Sequence, residues 1–296
     1  MQDGQITMWE EYFSPKSIGE ALEILNSYRG EARIIAGGTD LIPQLKNRIR
    51  EVKYLVDISE IEALAKIEID GDTIKIGAGV THSAILSSKL IKEGAILLAE
   101  AASTLGSPLI RNQGTVVGNV INAQPAADTA VALFALEAQV EIVSQAGTKV
   151  IPIHEVYQDL GVSRIDSAIE IASAIRFKYL KNNQASAFCR LAQRKALSLP
   201  VLNSAIVVTV QDGCIEETRI VIAPVAPLPF RLRKTESTLK GASIALEFIR
   251  RVAEVAASEV EPRDSLLRGS AGYRKEMVKV LLGRTLRKAL LRIRKD

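Results

Sequence analysis

The chain has 296 residues, of which 47% are hydrophobic and 24% charged, and carries a formal net charge of +4. That length exceeds the usual single domain, so two or three compact units are expected, and the composition excludes a disordered chain. Much of the positive charge lies in the final stretch "YRKEMVKVLLGRTLRKALLRIRKD". With no aromatic platform or known binding module beside it, it reads as a helix with a solvated basic face and not as a nucleic-acid site.

The amino-terminal "MQDGQITMWEEYF" has acidic residues and no apolar h-region, so it does not read as a signal peptide. The apolar run "AVALFALEA" is far short of a membrane span and is broken by Glu137. No membrane association and a cytoplasmic location are the expectations. Cys189 and Cys214 are too few for a disulfide framework or for an iron–sulfur cluster, which takes four ligands. His82 and His154 have no neighbours at metal-ligand spacing, so no metal site is expected. Redox or transfer chemistry here needs an organic cofactor or a partner.

In chain order, "KSIGEALEILNSYRG" (16–30) has apolar residues at helical spacing and Gly30 placed to stop the helix. "ARIIAGG" reads as a short buried strand, "LIPQLKNRI" as a helix starting near Asp40, and "YLVDI" as another strand. A second unit opens with strands "LAKIEID" and "TIKIGAG" joined by Gly71-Asp72, a hairpin signal. "THSAILSSKLI" and "AILLAEAASTLG" read as helical. "IRNQGTVVGNVINAQPAADTAVALFALEAQVEIVS" reads as strand, glycine turn, polar loop, a helix from about Thr129 and a strand ending near Ser144. A hairpin at Ala146-Gly147, "KVIPIHEVY" and the strand "AIEIASAIRF" follow. From about residue 185, strands come first, with a hairpin at Asp212-Gly213, and two long helical stretches last, which predicts a sheet with helices on one side.

The chemistry-bearing stretches are glycine junctions. There is no GxxxxGK[ST], which argues against a P-loop enzyme. "IKIGAGVTHSAI" imitates a Rossmann turn through Gly77 and Gly79, but His82 stands at the third glycine position and the strand follows a hairpin. In "IIAGGTDLI", Gly37 and Gly38 allow close backbone approach, and the N–H groups of Gly38, Thr39, Asp40 and Leu41 suit an anion such as a diphosphate. An ordinary structural turn explains the same residues equally well. Asp40 would repel phosphate and is read as the cap of the following helix, with Pro43 tolerated in its first turn. "GTVVGNVINAQPAAD" offers Gly118 for close approach and Thr115, Asn119 and Asn122 as neutral polar groups. Asp128 is either a helix N-cap or a partner for a ribose or ring donor. Two such junctions without a catalytic triad suggest a cofactor held between them that carries the chemistry.

The stretches "AGGTDL", "IGAGVT", "GSPLIRNQGTVVGNVINAQPAADTAVALFALEAQV", "APVAPLPFRLRKTE" and "GYRKEMVKVLLGRTLRKAL" run in order over nearly the whole chain. Together they resemble the FAD-binding (medium) subunit of the molybdenum hydroxylases, the group that includes carbon monoxide dehydrogenase and xanthine dehydrogenase. The resemblance implies an α+β fold. Two small α/β FAD-binding subdomains, of the PCMH/vanillyl-alcohol-oxidase type, would span 1–62 and 63–184. A C-terminal α+β domain of the CO dehydrogenase flavoprotein C-terminal type would span 185–296.

The resemblance also implies site roles. Ile34, Ile35, Ala36, Gly37, Gly38, Thr39, Asp40 and Leu41 would wrap the FAD diphosphate. Thr115, Val117, Gly118 and Asn119 would form the second cofactor loop, with Ile121, Asn122 and Asp128 nearby. Leu105 would pack against the isoalloxazine, Ile171 would lie on a strand near the flavin, and Arg190 would place a fixed positive charge close to the ring. By the same resemblance, a large molybdopterin-binding partner would oxidise the substrate and a small partner would carry two [2Fe–2S] clusters. Electrons would pass through FAD here to NAD or another acceptor. Alternatives are a stand-alone FAD-dependent oxidoreductase, a FAD-free structural subunit of the same complex, and a protein binding some other nucleotide.

Two departures from the family pattern carry expectations. Val117 stands where the family has a glycine; if that backbone needs φ > 0, valine costs about 1–3 kcal/mol there. In "RKALSLP", Ser198 stands where an aspartate is common, which would weaken a salt bridge to Arg194.

Overall fold

The computed structural model describes residues 8–194, 197–243 and 248–293. Expectations that fall on 1–7, on 195–196 within "RKALSLP", on 244–247 or on 294–296 lie outside the described residues.

The first elements are β1 (Glu11–Phe13), α1 (Ile18–Ser27), β2 (Ala32–Ile35), α2 (Leu41–Lys46) and β3 (Tyr54–Asp57). The strands form a parallel sheet in the order β1-β3-β2. Ser17 starts α1 by accepting a hydrogen bond from the Glu20 N–H, and the helix buries Ala21, Leu22 and Leu25. The β2–α2 junction, where the glycines sit, is therefore fixed from both ends.

The middle of the chain holds β4 (Ile67–Asp70), β5 (Thr73–Gly77), α3 (His82–Ser87), α4 (Lys89–Gly94), α5 (Ile96–Thr104), α6 (Pro108–Gln113), α7 (Val116–Ile121) and α8 (Asp128–Ala135). It continues with β6 (Gln139–Ser144), β7 (Gly147–Pro152), β8 (Tyr157–Asp159), β9 (Val162–Ser163) and β10 (Glu170–Lys178). The main sheet has the order β4-β5-β10-β6-β7 and is antiparallel throughout.

One expectation fails here. "IRNQGTVVGN" forms no strand and turn but the two helices α6 and α7. Ser107 caps α6 with Pro108 in its first turn, and Thr115 caps α7 by accepting from the Gly118 N–H. These start signals outweigh the β preference of the paired valines.

The last third contains β11 (Gln184–Ala192), β12 (Pro200–Gln211), β13 (Cys214–Ala223), β14 (Phe230–Arg231), α9 (Arg233–Leu239), α10 (Phe248–Ser258) and α11 (Ala271–Leu290). Its sheet runs β11-β12-β13-β14 and is antiparallel. The Asp212-Gly213 turn has φ of 51° and 73°, the pair of positive values that a two-residue hairpin favours.

Helices on one side describes this sheet only as far as its own chain segment goes. Leu202, Ile206 and Val208 join a core with Val252, Val278, Leu281 and Leu282 of α10 and α11. The alternate residues Ala205, Val207, Val221 and Ala223 belong instead to the large core of the first two thirds, beside α5 and α8. The strand period of two thus feeds two separate cores.

The basic final helix is less solvated than its sequence suggests. Arg274 is 5% exposed and donates to the carbonyl oxygens of Arg263 and Pro224. Lys288 and Arg292 both pair with Glu100 of α5, whose carboxylate also accepts from the Phe188 N–H. Arg284 and Arg287 remain on the open face.

Candidate functional site: a cavity between two glycine junctions

After β2 the chain turns sharply, with Gly38 at φ 66°. Among the described residues, the N–H groups of Gly38, Thr39, Asp40 and Leu41 donate to no protein acceptor. Four adjacent unpaired donors on a concave wall form a cradle for an oxyanion. Gly37 lies against the second junction: a Cβ built on it would sit 2.0 Å from the Gln113 carbonyl oxygen. Only hydrogen fits in that space.

The second junction is pinned to the strand end before α3. The His82 N–H donates to the Gly114 carbonyl and the Val116 N–H to the Val80 carbonyl, both at 3.0 Å. Val117 is 2% exposed and lies inside α7, outside the left-handed region. The strain expected for a valine there does not arise, because a helical backbone accepts it. The Thr115 hydroxyl is spent on its cap, and Asn119 Oδ1 accepts from the Thr129 hydroxyl at 2.7 Å, which leaves its amide nitrogen free.

Between the junctions lies a cavity of about 690 Å³, within the size range of small-molecule sites. Ile34 through Leu41, Leu105, Thr115, Val117, Gly118, Asn119, Ile121 and Asn122 all line it. Ile171, Asp128 and Arg190 do not. On β10 it is Glu170 and Ala172 that reach the cavity, while Ile171, 1% exposed, points into the core by strand alternation. Arg190 and Asp128 stand behind the wall as an ion pair at 3.1 Å, with side chains 10% and 5% exposed. Asp128 is therefore neither an N-cap, a position held by Ala127, nor open to a ligand.

Asp40 does not cap α2 either: its backbone is helical at φ −107°, ψ −46°, and its side chain makes no cap bond. It stands on the cavity wall, where loss of surrounding water pushes its carboxyl above the usual range. Ser198 makes no ion pair with Arg194; its hydroxyl donates to the Arg194 carbonyl at 3.1 Å.

Sequence reasoning missed the remaining wall. Gly161, Val162, Ser163 and Ile165 come from the β8–β9 hairpin and its exit, and Ser167 from the turn before β10. Arg33 crosses to this side, pairing with Asp166 at 3.0 Å. A stretch such as "QDLGVSRIDSA", polar and glycine-bearing between two strands, carried a usable signal.

His82 is packed, at 2% exposed, and it also lines the cavity. Burial, and then the nearby Arg111 charge, push its pKa down to about 4. The imidazole is therefore expected to stay neutral between pH 5 and 8. Its ring-proton NMR shift should be flat over that interval, while His154 supplies the other signal; a midpoint for His82 near 6.5 would contradict the burial.

The bound group that this wall suits is long and carries a compact anion: four unpaired donors at one junction, then amides and apolar side chains, with the charged residues Arg33, Asp40, Arg50, Asp166 and Glu170 also on the lining. A diphosphate-linked flavin nucleotide fits that donor set. Among the described residues no group of His, Cys, Asp and Glu could hold a metal, and no helix is long and apolar enough to cross a membrane.

Comparison with known proteins agrees with this chemistry. Residues 5–177 match the family model described as the FAD binding domain in molybdopterin dehydrogenase, and residues 187–289 match the CO dehydrogenase flavoprotein C-terminal domain. The chain is 29% identical over 282 residues to the carbon monoxide dehydrogenase medium chain of Hydrogenophaga pseudoflava, covering 95% of this chain and 97% of that one. It is 32% identical over 285 residues to the 6-hydroxypseudooxynicotine dehydrogenase complex subunit alpha of Paenarthrobacter nicotinovorans, covering 96% and 95%. The solved carbon monoxide dehydrogenase from Hydrogenophaga pseudoflava that lacks the Mo-pyranopterin moiety superposes with a TM-score of 0.89 at 28% identity, covering 96% of this chain and 98% of the other. The chain belongs to the FAD-binding subunits of the molybdenum hydroxylase family, as one subunit of an oxidoreductase.

Proposed function

We propose that this subunit carries FAD in the cavity between the two junctions and relays electrons from the [2Fe–2S] clusters of a small partner to NAD or another acceptor. In this reading a large molybdopterin-binding partner oxidises the substrate, and the assembly works in the cytoplasm. The observation that carries it is the row of N–H groups without protein acceptors from Gly38 to Leu41, in residues that line a cavity whose other side is a second, tightly apposed junction. Bound FAD supplies a ring that accepts and releases electrons. The protein's own part is to hold the diphosphate with backbone donors, to present Leu105, Ala78 and Ile121 as apolar wall, and to keep His82 uncharged. Of the residues implied by resemblance, those lining the cavity are proposed as direct contacts; Asp128, Ile171 and Arg190 act from behind it. The chain divides, in this reading, at about residues 62 and 184.

Gentle purification of the chain, alone and with its neighbours, tests the reading. Stoichiometric flavin absorbance, with large and small subunit reading frames beside the gene, is the expected result. Flavin without such neighbours would favour a stand-alone oxidoreductase, and no flavin under any condition would favour a FAD-free structural subunit.

The basic final helix is proposed as part of a partner surface through Arg284 and Arg287, its cations that stay on the open face. Replacing both by glutamate should weaken co-purification of a partner about tenfold, as a rim charge does at most. Unchanged assembly would count against that surface.

A further inference from the structure

Directly behind the cavity wall, the last third of the chain reaches across to the middle third through a cluster of buried polar groups. Arg190, on β11, donates from Nη1 to the Thr104 carbonyl and from Nη2 to the Ser198 carbonyl. The same guanidinium lies 3.1 Å from Asp128 Oδ2. Asn203, on β12 and fully buried, donates from Nδ2 to Asp128 Oδ1 at 2.6 Å and to the Ala126 carbonyl at 3.1 Å. The Thr104 hydroxyl completes the set at 3.3 Å from Asp128 Oδ2.

The position of these bonds matters more than their number. Thr104 ends α5, and the next residue, Leu105, is on the cavity wall. Ala126 and Asp128 close the segment that leaves α7, which carries Gly118, Asn119 and Ile121 on the same wall. Arg111 holds the other side of the Leu105 segment, donating to the carbonyls of Leu105 and Gly106 at 2.8 and 3.2 Å. Two arginines from different parts of the chain thus grip one short stretch, Thr104 to Gly106, and of the two it is Arg190 that ties it to the C-terminal sheet, one turn beyond the Glu100–Phe188 contact.

We propose that Arg190 is a positioning residue: with Asp128 and Asn203 it latches the C-terminal sheet to the Leu105 segment, so that seating of the sheet and retention of the nucleotide in the cavity are coupled. The nucleotide's identity rests on the flavin reading above; the latch itself does not. A planar fork that serves two carbonyls and a carboxylate cannot be replaced by a lysine's single ammonium. Coupling between two sites is reciprocal, so nucleotide binding tightens the latch as the latch tightens binding.

The test uses the full chain and the Arg190→Lys and Arg190→Met variants, with hydrogen exchange first without nucleotide and then with FAD. Without nucleotide, Arg190→Lys should speed exchange of the peptide covering Leu105 to Ser107 by about tenfold, leaving β12 and β13 unchanged. FAD should dissociate from it about tenfold faster than from the parent chain. Unchanged exchange at Leu105 to Ser107 in both variants overturns the latch, and so does a uniform rise across β12, β13 and α11, which marks general loosening only. A local rise with unaltered FAD dissociation overturns the coupling. If the parent chain binds no FAD at all, the flavin reading fails, and the exchange result without nucleotide still decides the latch.

Discussion

A Gly37→Ala chain is expected to emerge from purification without flavin, with FAD affinity lowered by at least about 100-fold, or roughly 3 kcal/mol. The added methyl has nowhere to go: its carbon would lie 2.0 Å from the Gln113 carbonyl oxygen and 2.7 Å from that carbonyl carbon, both backbone atoms. Relief requires the two junctions to part, and they are the two sides of the cavity. Gly38→Val should also release flavin, by a different route. At φ 66° a β-branched residue is strained, although the atoms its Cβ would meet, Ile35 Cδ1 and Ile42 Cγ1 at 3.1 Å, belong to side chains and not to the backbone. In both variants the C-terminal core is remote from the change, so its helices should keep their circular dichroism. Flavin absorbance and titration with free FAD measure the effect, and stoichiometric flavin retained by Gly37→Ala would refute the cradle.

Asp128→Ala is expected to cost about 3–5 kcal/mol of stability at neutral pH, since it strands the buried Arg190 guanidinium. The acid also gives a pH dependence of definite sign. Burial raises its pKa from 3.8 to about 6, with Arg190, Asn203 and Thr104 pulling the other way. Between those values the folded chain holds a proton that the unfolded chain has released. This group's contribution to stability therefore falls as pH rises from about 4 to 6, by up to about 3 kcal/mol, and is level above. Asp128→Asn has no such group. Urea unfolding of parent and Asn variant from pH 4 to 7 should give stabilities whose difference changes across that window. Glu100, one turn earlier on α5 with its own partners Lys288 and Arg292, is common to both chains and cancels. Parallel curves would refute the shifted acid.

Most of the strand positions and the glycine turn after β2 were legible in the residues, because glycine pairs and hairpin turns leave local marks that do not depend on the rest of the chain. "AGG" before an apolar helix, Gly71-Asp72 and Asp212-Gly213 are of that kind. The errors came where side-chain capping or distant packing decides. Paired valines in "TVVGN" looked like a strand, yet the Thr115 hydroxyl and the backbone bonds to Val80 and Gly114 hold the segment as a capped helix. Arg190 and Asp128, brought in by family resemblance as cofactor contacts, find each other first, across 62 residues of sequence. Ile171 missed the cavity by one residue because strand alternation hands that place to Ala172 and Glu170. The β8–β9 side of the wall had no hydrophobic pattern to announce it, only loop composition.

The sheet of β11 to β14 gives one set of side chains to its own helices and the other, Ala205, Val207, Val221 and Ala223, to the interior around α5 and α8. A cut near residue 185 would thus leave the larger of the two close-packed cores shared between both pieces. Each fragment made separately would display a broad, water-averse surface and clump, whereas the two made together should find one another again. Exchange of tail segments among relatives would succeed only when the α5 and α8 surfaces travelled with them.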